Sequence, residues 1–146
     1  MKAIKIAGHP VVVITVFLLA LISGEGFGGP YILYLILGLP HGVGYSLAGI
    51  LGLICLFLSF KIYRREKKHW IKACIALAGL SFLILSMYMF FTNDKMRYNY
   101  NTFNQTVPVI TLLLLALCIA CNFIINIIYL KNLFSKQSSV DSFRPA

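Results

Sequence analysis

Apolar residues run through this chain in long blocks instead of alternating with polar ones at a period of 2 or 3.6. Residues 45–60, 73–91 and 107–130 each pass without a charged side chain. A helix needs about 20 predominantly apolar residues to cross a bilayer, and the first two blocks reach that length by adding interfacial residues at their ends. Helices apolar on every side must meet lipid or other helices all round. The pattern predicts an all-α integral membrane protein.

A fourth block, residues 11–22, is shorter. It reaches spanning length if its helix begins near Ile6 and Lys5 snorkels to the headgroups, with Pro10 tolerated in the first turn because N–H groups there lack partners anyway. Lys2 and Lys5 ahead of this block also resemble the start of a signal peptide, but Leu21 and Ile22 fit poorly where small residues should precede a cleavage site. An uncleaved anchor is expected. The reading is therefore four transmembrane helices over residues 1–136, followed by a polar, disordered cytoplasmic tail over 137–146.

Between the first and second spans lies a nine-residue apolar piece, residues 31–39, with Gly24-Glu-Gly-Phe-Gly-Gly-Pro30 before it and Gly38-Leu-Pro-His-Gly-Val-Gly44 after it. As a helix it would be roughly 13 Å long, under half of the hydrocarbon core. Charge decides its course. Eleven of the thirteen Lys and Arg residues fall before the first span, between the second and third, or after the last; only Lys95 and Arg97 lie elsewhere. By the positive-inside rule both termini and the loop from Lys61 to Lys72 are cytoplasmic, in a cell membrane. A crossing by residues 31–39 would put that basic loop outside. The piece is expected to be a short re-entrant or interfacial helix hinged at Gly28-Gly29 and at residues 38–40, with Pro40 separating it from the second span.

Composition agrees with lipid as the main solvent: 60% of residues are hydrophobic and 12% charged, against about 25% charged in soluble domains. Gly24, Gly26 and Gly29 match the dinucleotide pattern G-x-G-x-x-G, but no strand, βαβ unit or following acid accompanies them. No nucleotide or nucleic acid is expected. In the same stretch Glu25 and His41 can titrate near neutrality, and Tyr31, Tyr34 and Tyr45 add hydroxyls. Together they form a candidate outer vestibule. The plainer reading is an elbow with its aromatics at headgroup level and both ionisable groups wet.

Within the spans, Gly44, Ala48, Gly52, Cys55 and Ser59 recur at spacings of 4, 4, 3 and 4, a small-residue ridge of the kind along which membrane helices approach. Ala76, Gly79 and Ser86 make a matching face on the third span, with Cys74, Ala78 and Ser81 beside it. The last span carries a polar stripe of Thr111, Cys118, Asn122 and Asn126. Asparagine in hydrocarbon needs partners, here expected from Ser59, Ser86 or backbone carbonyls. The stripe is either interhelical glue or the lining of a polar path. Four cysteines lie within or beside the spans, none in a loop, which excludes an external disulfide framework. A cluster of Cys55 with Cys118-Ile-Ala-Cys121 would serve a membrane-embedded thiol oxidoreductase, yet a thiol in hydrocarbon keeps its proton and stays inert.

No catalytic, cofactor-binding or metal-binding residue stands out. The sequence reads as a non-enzymatic accessory, immunity-type or assembly module acting through helix–helix contacts. A small oligomeric permease or channel, entered at Glu25 and His41, is the alternative. Expected partners are the bilayer itself, anionic lipid at Arg64, Arg65, Lys67 and Lys68, and a second copy or another membrane protein.

Overall fold

The computed structural model describes residues 2–23, 28–62, 69–93 and 98–141. Glu25 and the cluster Arg64, Arg65, Lys67 and Lys68 lie outside them. The described chain is mostly helical: α1 (Lys2–Ala7), α2 (Pro10–Leu19), β1 (Leu21–Ser23), β2 (Gly28–Pro30), α3 (Tyr31–Gly38), α4 (Gly44–Ile62), α5 (His69–Thr92), a 3₁₀ helix (Tyr98–Asn104) and α6 (Thr106–Asp141). By length and composition α4, α5 and α6 could each cross a membrane, whereas α2 is a shorter apolar helix.

The first apolar block is a broken helix, which corrects the expectation of one helix starting near Ile6. Pro10 has no N–H to offer the preceding turn, so α1 stops at Ala7, with the N–H of His9 turning back to the carbonyl of Ile6 at 3.1 Å. Pro10 then opens α2, and His9 caps it by accepting from the N–H of Val11 at 3.3 Å. Gly8, at the break, sits directly on α6. A Cβ there would lie 2.8 Å from the backbone of Asn122 and Cys121.

Beyond α2 the chain departs from the all-α expectation. Leu21–Ser23 and Gly28–Pro30 form a short antiparallel ladder, with Ile22 opposite Gly29. Gly28 and Gly29, expected as a hinge, are thus strand residues. The other edge of β1 is held by hydroxyls: Leu21 N–H donates to Thr111 Oγ1 at 3.0 Å, and Ser23 N–H to Thr102 Oγ1 at 3.0 Å. Thr102 returns its own proton to the Ser23 carbonyl at 3.2 Å. Residues 8, 21 and 23 therefore meet residues 122, 111 and 102 in turn, and the segment from α1 to β1 runs antiparallel along α6.

The α3 helix is separate from α4, as Pro40 and its neighbouring glycines predicted. The turn between them includes Gly42 at φ +62°, a conformation open to glycine. A Cβ on Gly38 would collide with the side chains of Ser46 and Tyr45, so the end of α3 rests on the start of α4.

The tightest pairing is α4 against α5, packed antiparallel along the predicted ridge. A Cβ on Gly52 would lie 3.0 Å from the carbonyl of Gly79, and one on Gly79 would lie 3.1 Å from both the carbonyl of Gly52 and Cβ of Cys55. Ala48, Ser59, Ala76 and Ser86 are buried with them. Cys74, Ala78 and Ser81 are instead exposed on the opposite side of α5. At the other end of the chain, helical backbone continues to Asp141, so residues 137–141 are not the disordered tail expected. Adding one residue to an existing helix requires no new nucleus, which favours such continuation even in polar sequence.

Candidate functional site

Two clusters gather the side chains singled out by sequence. The first forms where α3 packs against α4 and α5. Pro30 directs the chain into α3, the Tyr31 N–H donates to the Ala20 carbonyl at 2.8 Å, and the Tyr31 ring is fully buried. Its hydroxyl lies 2.9 Å from Ser86 Oγ. Ser86 spends its single proton on the Tyr45 carbonyl at 2.7 Å, so Tyr31 is the donor to Ser86. Three helices are joined by this relay.

Phe90 fills the centre of the cluster. Its ring meets Tyr31, Tyr34 and Tyr45 edge-on, with centroids 5.2, 5.1 and 5.1 Å away. Phe17 of α2 meets Tyr31 in the same way at 5.1 Å. Such pairs are worth about 0.5–1.5 kcal/mol each beyond the area they bury. The three tyrosines named as a vestibule do come together, around a phenylalanine ring. His41 is exposed on the turn before α4, and among the described residues no hydrogen bond or ring contact ties it to them.

The second cluster is the polar stripe of α6. Thr111 accepts from Leu21 and donates to the Pro108 carbonyl at 2.8 Å. Cys118 is buried. Asn122, 1% exposed, donates from its side-chain amide to the carbonyl of Gly8 at 2.6 Å. Asn126 donates to the carbonyl and side-chain oxygen of Asn122 at 2.9 and 2.8 Å. The partner is a backbone carbonyl, as one branch of the expectation had it. Ser59 bonds within its own helix to Leu56, and Ser86 belongs to the tyrosine relay.

Sequence reasoning missed Gly8 and Thr102. A Gly-His-Pro interruption inside an apolar run was the available signal for Gly8. Thr102, in a loop rich in Asn and Tyr, carried none. Among buried side-chain polar atoms of the described residues, Ser46 Oγ, packed on Gly38, is the exception that lacks a partner.

All four cysteines are free. Cys55 faces α5 through Gly79, while α6, which carries Cys118 and Cys121, packs on α1, α2 and α5. Cys55 and the C-x-x-C therefore stand on different helices, and the main packing partner of α4 is α5. Among the described residues no group of three or more His, Cys, Asp or Glu could hold a metal ion. The chemistry available in both clusters is hydrogen bonding and aromatic packing between segments distant in sequence. No protein-family model, curated protein or solved structure matches this chain.

Proposed function

We propose that this chain is a non-enzymatic, multi-pass membrane protein that acts as an accessory, immunity-type or assembly module by presenting helix faces to another membrane protein. The observation that carries this reading is the internal pairing of the polar groups in the bundle. Asn122 with Gly8, Asn126 with Asn122, and Tyr31 with Ser86 satisfy one another, leaving outward faces that are almost wholly apolar. A path for a polar solute needs groups that face an opening. Here Phe90 occupies the space between the tyrosines that would form its mouth.

In this reading the stretch from α1 to β1 is the first of four crossings. It runs along α6 from Asn122 to Thr111, and Asn122 supplies the hydrogen bond that the break at Gly8 leaves open, the condition under which interrupted helices survive in lipid. Basic residues put both termini on the cytoplasmic side of a cell membrane.

In-cell photo-crosslinking tests the proposal. A photoreactive amino acid is placed on the exposed faces of α4 (Ile54, Leu58) and α6 (Leu117, Ile124), and adducts are identified from native membranes. The proposal expects one face to give a single discrete adduct with another membrane protein. Solute flux through the purified chain in liposomes, abolished by Asn122→Leu, would overturn it in favour of a permease.

A further inference from the structure

Between α5 and α6 lies an apolar cavity of about 360 Å³, walled by Leu77, Leu80 and Ile84 on one helix and Ala116, Ala120 and Phe123 on the other. Ser81 is the one hydroxyl on its wall, and it donates to the Leu77 carbonyl at 3.1 Å. Nothing polar is left there to recognise a solute. Two turns of α-helix, 10–12 Å across and about 11 Å long, displace roughly twice this volume or more, so a partner helix does not enter. An apolar cavity of about 150 Å³ takes one benzene ring. Scaled to this cavity, that is roughly fourteen carbons, the size of a single hydrocarbon chain.

Cations stand at one end of the same two helices. Lys72 lies in the first turn of α5, and Lys131 closes the apolar stretch of α6. Eight residues separate Leu80 from Lys72, and eight separate Phe123 from Lys131, about 12 Å of helix in each case. Half of a bilayer's hydrocarbon core is about 15 Å thick. A chain seated in the cavity would therefore emerge at the level of these two lysines. Trp70, well exposed at the same end, suits a headgroup boundary.

We propose that this cavity binds one acyl chain of an anionic glycerophospholipid whose headgroup lies at the level of Lys72 and Lys131. The proposal rests on the reading that α5 and α6 cross the bilayer. A second copy of the chain is disfavoured by the cavity's width, and a neutral lipid by the two lysines at one end of these helices.

The full chain is reconstituted in phosphatidylcholine nanodiscs doped with a phospholipid carrying a diazirine in one acyl chain, offered with either a phosphatidylglycerol or a phosphatidylcholine headgroup. Peptide mapping should place the phosphatidylglycerol probe on Ile84, Ile119 and Phe123, severalfold above the phosphatidylcholine probe. Ala120→Phe, which fills the cavity from a lipid-facing position, should remove that labelling, while Ile54→Phe on the exposed face of α4 should leave it. Lys72→Gln combined with Lys131→Gln should bring the two headgroups to the same level. Labelling spread evenly over exposed faces, equal labelling by the two probes in the unsubstituted chain, or labelling unchanged by Ala120→Phe would each overturn the proposal. Failure of the membrane reading would look different, since the chain would then not co-elute with nanodiscs.

Discussion

The side-chain amide of Asn122 donates a 2.6 Å hydrogen bond to the backbone carbonyl of Gly8, 114 residues away. The bond has a covalent cause. Pro10 breaks the helix ahead of it, and at the break the carbonyl of Gly8 faces α6 at a point where a side chain larger than hydrogen would strike the backbone of Asn122. An asparagine on α6 then replaces the missing intrahelical donor.

Asn122→Leu should destabilise the protein in detergent by about 1–3 kcal/mol, because it leaves a buried carbonyl unsatisfied. Asn126, which donates to Asn122, would lose its side-chain partner in the same change. In a Pro10→Ala background the helix can close across residues 7–11, and the cost of Asn122→Leu should fall. Equal costs in the two backgrounds, measured by denaturant titration in mixed micelles, would show that the asparagine does not answer the proline break.

The glycine contact between α4 and α5 makes a sharper size prediction. Gly52→Leu places a side chain where a Cβ alone would already lie 2.5 Å from Leu83 Cδ2. Overpacking typically costs about 1–3 kcal/mol, whereas Leu53→Ile next door should cost less than about 1.5 kcal/mol. Thermal melts of the two variants in one detergent compare them directly, with Gly52→Leu expected to melt clearly lower.

The tyrosine relay predicts non-additivity. Tyr31→Phe and Ser86→Ala both remove the Tyr31–Ser86 hydrogen bond, at about 0.5–1.5 kcal/mol, and Ser86→Ala also removes the bond to the Tyr45 carbonyl. The double variant should cost less than the sum of the two single ones. Strict additivity would mean that the two hydroxyls do not act on each other. Phe90→Ala should cost more than either, about 3–5 kcal/mol, since the ring packs against aromatics from α3 and α4 together.

The separation of α3 from α4 predicts a distance. Spin labels at Leu33 and Leu51 would sit with backbones about 27 Å apart along a straight helix. Because α3 turns back at residues 39–43 and packs on α4, the measured distribution should centre clearly below that value. A distribution centred on 27 Å or beyond would mean that the two helices are continuous.

Much of this architecture was legible because helices apolar on every side leave a coarse mark on sequence. Long apolar runs mark the three longest helices, Pro40 between glycines marks the end of α3, and the 4, 4, 3, 4 spacing from Gly44 to Ser59 marks the ridge that α4 presents to α5. The inward face of the α6 stripe was also readable, because an amide buried among apolar side chains must find a partner. Which partner it finds was not. The open carbonyl of Gly8 arises from a local break, but its pairing with Asn122 depends on the antiparallel run of two segments separated by most of the chain. The ladder of β1 and β2 was hidden for a similar reason: three-residue strands, one of them Gly-Gly-Pro, carry no alternation, and the outer edge of β1 is held by Thr102 and Thr111 from far along the chain. In the tyrosine cluster the residue types were named, yet the ring at its centre, Phe90, is indistinguishable in sequence from its apolar neighbours.

In the proposed topology the broken stretch from α1 to β1 crosses the membrane beside α6, giving four crossings. Side-resolved cysteine labelling tests it most directly. In a variant with Cys55, Cys74, Cys118 and Cys121 replaced, single cysteines are placed at Lys2, His41, Lys61, Asn104 and Lys131, all exposed positions, and intact cells are treated with an impermeant thiol reagent. His41→Cys and Asn104→Cys should label at once, while Lys2→Cys, Lys61→Cys and Lys131→Cys should label only after permeabilisation. Labelling of Lys2→Cys from outside, together with His41→Cys, would show that the first segment does not cross, and would contradict the account.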